Sequence, residues 1–200
     1  MLIPLGYHCN ISVLNQELHI KKETGAFEWF VSKNLQNITD IINTLTNDPT
    51  LNIVYENTTH VYVLNTNCVS SHYKLDEYKV IFKRRYNRFI DIINKEEHIY
   101  FVRLNILDEH TTKYEIELFI ESIKKINPNS RISFLLIDTI DSNSEFSPIH
   151  IDIENVILHH KYVYETDVTD PNMRKNYKKI LEDIGYNVNE TNTIQFNELS

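Results

Sequence analysis

Two nearly unbroken apolar runs, Ile99-Tyr100-Phe101-Val102 and Ile132-Ser133-Phe134-Leu135-Leu136-Ile137, constrain this chain more than any other feature. A strand with one face in water alternates apolar and polar residues, whereas a strand covered on both faces carries an apolar run. Between the two runs, Tyr114 to Ile126 place their apolar residues at helical spacing. Strand, helix and strand in alternation predict an α/β fold, a three-layer sandwich with a mostly parallel central sheet.

The rest of the chain fits around that centre. Residues 2–5 form a short apolar strand, and Asn10 to Lys22 read as a helix with Ile11, Leu14 and Leu18 inward and Val13 as a further candidate for that face. Asn34 to Leu45 form a second amphipathic helix, closed by Asn47-Asp48-Pro49. Ile53 to Tyr55 and Val61 to Leu64 read as short strands, and Asn65 to Ser71 as a polar loop delivering Cys68 and His72. A long helix over Leu75 to Lys95 shows a stripe of Tyr78, Phe82, Phe89 and Ile92. Arg85 falls on that stripe. Either its stem carries the charge back to the surface, or it pairs with an acidic group or anion inside a site. Val156 to Val163 read as a strand, and Met173 to Ile184 as a last helix stopped by Gly185. The expectation is one Rossmann-like domain over residues 1–186 and a loosely held tail over 187–200.

Composition narrows the function classes. Two hundred residues suit one domain with a sizeable core. A net charge of −8 opposes nonspecific nucleic-acid binding, which needs a basic field. No run of about 18 apolar residues occurs, so no membrane span is expected. No basic segment precedes an apolar one at the N-terminus, so the expected location is cytoplasmic, with Cys9 and Cys68 reduced.

In an open parallel sheet, ligands bind beyond the carboxyl ends of the strands. There the sequence places His8 and Cys9 after the first strand, then Arg103, Asn105 and Asp108, then Asp138 and Asp141. His159 and His160 lie in the last strand on opposite faces. Gly6, one of three glycines in the chain, sits where an apolar run meets a turn. Cys9 then stands just before a helix, where the dipole favours thiolate. The alternative for Cys9 is an ordinary buried thiol. Asp138 and Asp141 equally read as turn caps, His159 and His160 as strand-surface residues, and Cys68 as structural. No metal-ligand spacing, phosphate-binding glycine loop or Gly-x-Ser-x-Gly occurs, so no metal or cofactor is expected. Elimination leaves thiol chemistry as the leading catalytic option, with a histidine to take the proton.

Several of these segments together resemble a known family. They are Leu5-Gly6-Tyr7-His8-Cys9, Gly25-Ala26-Phe27-Glu28-Trp29, His72, the basic helix Phe82-Lys83-Arg84-Arg85-Tyr86-Asn87-Arg88-Phe89, and Phe101-Val102-Arg103. In this order they resemble proposed papain-like cysteine peptidases of bacteria and large DNA viruses, over roughly residues 3–104. The resemblance implies Cys9 as nucleophile and His72 as base. Where the family pattern has aspartate, this chain has Glu28, and Tyr73 follows His72, so Glu28 and Asp76 are both candidates for the third catalytic member. Gly6, His8, Trp29, Arg85, Arg103 and Asp138 are the accompanying ligand-binding candidates.

Three readings follow: a cysteine-dependent hydrolase, a Rossmann-like transferase or anion-binding protein with Cys9 merely packed, or an inactive viral interaction protein of the same fold. The corresponding partners are a peptide or small anionic substrate or a host protein, with neither nucleic acid nor membrane.

Overall fold

A computed structural model describes residues 2–6, 10–20, 23–28, 31–57, 60–64, 68–70, 74–105, 110–141, 145–164 and 171–188. Four strands, β1 (Leu2–Pro4), β6 (His98–Asn105), β7 (Arg131–Ile140) and β8 (Val156–Tyr164), form a parallel sheet in the order β1-β6-β7-β8. The helices flanking it are α1 (Asn10–Glu17), α2 (Leu35–Asn47), α3 (Leu75–Lys95), α4 (Lys113–Ile126) and α5 (Pro171–Asp183). A second, antiparallel sheet joins β2 (Val31–Ser32), β5 (Cys68–Ser70), β4 (His60–Val63) and β3 (Val54–Asn57) in that order.

The parallel strands sort their side chains by parity, as a pleated strand must. Ile3, Leu5, Ile99, Phe101, Ile132, Phe134 and Leu136 enter one hydrophobic cluster with residues of α2, α3 and α4. Leu2, Val102, Leu104, Leu135, Ile137 and Val163 enter another with residues of α1 and α5. The apolar runs of β6 and β7 are therefore used on both faces, as their composition predicts.

Local chemistry sets the helix ends. Asn34 caps α2 by accepting the Asn37 N–H at 3.1 Å, and Thr112 with Glu115 closes a reciprocal capping box on α4. Gly185, at φ +77°, ends α5 with Gly185 N donating to Glu182 O and Tyr186 N to Leu181 O. Pro4, which has no N–H to offer, lies on the edge strand β1.

Two expectations need correction. The segment expected as a polar loop contains β5, and the antiparallel sheet as a whole was not foreshadowed by the pattern. α1 stops at Glu17 rather than Lys22, because His19 turns left-handed at φ 57° and Ile20 N bonds back to Asn15 O, and Val13, the further candidate for its inward face, is exposed. Of the expected tail, Val188 is buried in the cluster beneath α1 and α5, and residues 189–200 lie outside the described ones. Among the described residues no helix is long and apolar enough to cross a membrane.

Candidate functional site at the carboxyl edge of the parallel sheet

Arg103 and Asn105 on β6, Asp138 on β7 and His160 on β8 share the parity of Phe101, Phe134 and Leu158, so all four lie on one face near the carboxyl end. Their side chains form one connected network. Arg103 is the best anchored. Its Nε donates to Asn105 Oδ1 at 3.2 Å and Thr111 Oγ1 at 3.0 Å. One terminal nitrogen donates to Leu5 O, Gly6 O and Ser32 Oγ, the other to Ser32 O at 3.0 Å and Lys33 O at 3.3 Å. Ser32 Oγ in turn donates to Gly6 O. The guanidinium, only 1% exposed, thus ties the end of β1 to β2 and to the segment before α4.

The network continues from Asn105. Its Nδ2 donates to Asp138 Oδ1 at 2.7 Å, while its Oδ1 also accepts from Thr111 Oγ1 at 2.9 Å. Asp138 Oδ2 meets His160 Nε2 at 2.8 Å, and His160 Nδ1 accepts the Ile149 N–H at 2.8 Å. A ring nitrogen that accepts a backbone N–H carries no proton, so the proton lies on Nε2 and is donated to Asp138. Both ring nitrogens are engaged, which leaves His160 no lone pair for abstracting a proton in this conformation. With its side chain 3% exposed, it is not the strand-surface residue its sequence position suggests. Asp138, inside β7, is not a turn cap.

A separate cleft opens beside the free edge of β1. It encloses about 490 Å³, its open mouth included, between β1, the end of α1, the 23–28 segment and α3. Glu28 and Arg85, 3% and 7% exposed, line it together with Glu23 and Arg88. Glu28 Oε1 accepts the Gly25 N–H at 2.7 Å, and a Cβ at Gly25 would stand 3.2 Å from that oxygen. Arg88 pairs with Glu23 at 2.5 Å. Arg85 is therefore buried within the cleft wall and does not carry its charge to the surface.

The expected site residues divide between these places. Gly6, Arg103 and Asp138 join the network, and Glu28 and Arg85 line the cleft. Asp76 belongs to neither: it is fully exposed in the first turn of α3, 4.0 Å from Lys79 Nζ. His8, Cys9, Trp29 and His72, like Asp108, lie outside the described residues. Arg103, expected as a ligand-binding group, is committed to protein acceptors. Ser32 and Thr111 are contributors that sequence reasoning missed; neither hydroxyl carries a spacing signal to mark it.

Cys68 is a free, buried thiol, pushed up to about 12 by burial, which outweighs the opposing influence of Arg103. That makes it an inert structural cysteine. Burial, and then the Lys161 charge, lowers the His159 pKa. Among the described residues no group of histidine, cysteine and carboxylate side chains is arranged to hold a metal ion. Comparisons with family models, with curated proteins and with solved structures find no match to the chain.

Proposed function

We propose that the protein is a cysteine-dependent hydrolase acting on a peptide or related acyl substrate, with Cys9 as nucleophile and His72 as general base. The observation that carries this reading is where Cys9 falls in the chain. It stands between Gly6, whose carbonyl Arg103 and Ser32 hold, and Asn10, the first residue of α1. A firmly held strand end leading into a helix start suits a reactive thiol, because the helix dipole favours thiolate. In the proposed reaction, the Cys9 sulfur attacks the acyl carbon and His72 passes the thiol proton to the leaving group. Water then hydrolyses the acyl-enzyme. Burial beside β1 favours Glu28 over the exposed Asp76 as the group orienting the base. The two separate hydrophobic clusters support a three-layer, Rossmann-like reading of the architecture.

Iodoacetamide labelling of native protein across pH tests this. Cys9 is expected to react at neutral pH faster than a free thiol, and His72→Ala to slow it. A Cys9 rate no faster than that of a free thiol overturns the proposal.

The buried Arg85 in an open cleft favours a second reading, an anion-binding protein in which Cys9 is only packed. That reading predicts that phosphate or a small carboxylate raises the melting temperature, and that Arg85→Met removes the effect.

A further inference from the structure

Among the described residues, the connection from β7 to β8 contains no helix. Residues 145–155 instead lie as a strap with alternating burial: Ile149, Ile151 and Ile153 pack on the cluster beneath α2, α3 and α4, while His150, Asp152 and Glu154 are exposed. Within it, the Ile149 N–H is held by His160 Nδ1, and Phe146 stands edge-on to the His160 ring at 4.7 Å. The imidazole thus fastens the middle of the strap to the sheet, Phe146 also packs on Tyr162 of β8, and the end of the strap is tied separately to β7 by Ile132 N donating to Asn155 O at 2.9 Å.

We infer that this strap is a latch opened by protonation of His160. The bond from Ile149 requires a bare Nδ1. When Nδ1 takes a proton, two donors face each other and the bond is lost. Nε2–H remains on Asp138 and gains an ion pair there, so the ring keeps its place and the strap is what yields. The neighbouring charges do not cancel this conflict. Asp138 is in contact with the ring through Nε2, and its other oxygen is occupied by Asn105. From the strap, Glu145, His150, Asp152 and Glu154 are exposed, and His110 beside Thr111 is exposed too. On β8, His159 and Lys161 have the opposite parity and point to the other face of the sheet. Opening would free Phe146 and uncover the apolar sheet face under the three isoleucines. The latch stands whether or not the chain is a hydrolase.

Ring ¹⁵N shifts of His160 and amide exchange of the strap, followed together as pH is lowered, test it. Before the ring titrates, the shifts should report the neutral tautomer protonated on Nε2. As it titrates, exchange over residues 145–155, corrected for the intrinsic effect of pH, should rise roughly tenfold. Protection of β7 should persist meanwhile. His160→Gln, which offers an uncharged acceptor and donor in place of the ring, should remove the pH dependence. Three results would overturn the latch: a proton on Nδ1 in the neutral ring, unchanged strap exchange across the titration, or loss of strap protection only together with that of β7.

Discussion

Asn105 and Asp138 are register partners across the β6–β7 ladder, and Asn105 Nδ2 donates to Asp138 Oδ1 at 2.7 Å. This amide joins the two halves of the buried network, because it accepts from Arg103 and Thr111 at one end while donating at the other. Asn105→Leu, of similar volume, would strip Asp138, Thr111 and Arg103 Nε of a partner together. Each buried polar group left unsatisfied costs about 1–3 kcal/mol, so the loss should fall within or above that range. The shift in urea midpoint measures it.

Arg103→Lys keeps the charge and loses the fork. A point-like ammonium cannot span Asn105 with Thr111, Leu5 with Gly6, and Ser32 with Lys33 at once. Destabilisation on the order of 3 kcal/mol is expected from the carbonyls left without donors. A melting curve that matches the parent protein would show that the bonds to Gly6 and Ser32 contribute little.

Cys68 should stay silent in the native protein. Its thiol, pushed up to about 12 by burial, is protonated at pH 8 and enclosed. Mass spectrometry after iodoacetamide treatment should find Cys68 alkylated only when urea is present. Native labelling then reports on Cys9 alone, which keeps the nucleophile test clean.

Stability should fall at alkaline pH. Burial raises Cys68 and Tyr86 each to about 12, and also raises Tyr177 and Tyr186. Each group is neutral in both states below its unfolded value, about 8.5 for cysteine and 10 for tyrosine. As pH rises past that value the unfolded chain ionises first, so this contribution is lost progressively up to the folded pKa. Urea midpoints at pH 8, 9.5 and 10.5 should decline, and Tyr177→Phe should flatten the decline. Lowered values for His98 and His159 act at the other end. There the unfolded chain binds protons first, so stability falls as pH drops through about 6.5.

Gly185→Ala isolates a backbone effect. At φ +77° an L-residue is strained, yet nothing lies within 4 Å of the added Cβ. The cost should be about 1–2 kcal/mol, without any change in side-chain packing. A neutral result would mean that the turn after α5 relaxes into another conformation.

Much of the scaffold was legible in the sequence, because its long elements carry their own periodicity. Leu75–Lys95 forms α3 over the residues its apolar stripe marks, and the runs around Phe101 and Phe134 become the central pair of the parallel sheet. Of the antiparallel sheet, β3 and β4 were legible as short strands and the other two were not. β2 and β5 have two and three residues, too few to show an alternation, and they exist because β4 pairs with β5 and β5 with β2. The alternation Ile149-x-Ile151-x-Ile153 imitates a strand in sequence while making a strap in the fold.

For the candidate site, the sequence alone put Gly6, Arg103, Asn105 and Asp138 near strand ends, since their positions follow from where the apolar runs stop, and His160 inside the last strand. It could not say which would be spent on one another. Only the tertiary structure decided that Arg103 is consumed by backbone carbonyls, that His160 fastens the strap, and that Arg85 is buried in a cleft instead of reaching water. The physical reason is that hydrogen-bond partners and burial depend on which strands lie side by side. Leu5 and Arg103, or Ile149 and His160, meet through sheet register and chain crossover, and neither leaves a mark in local sequence.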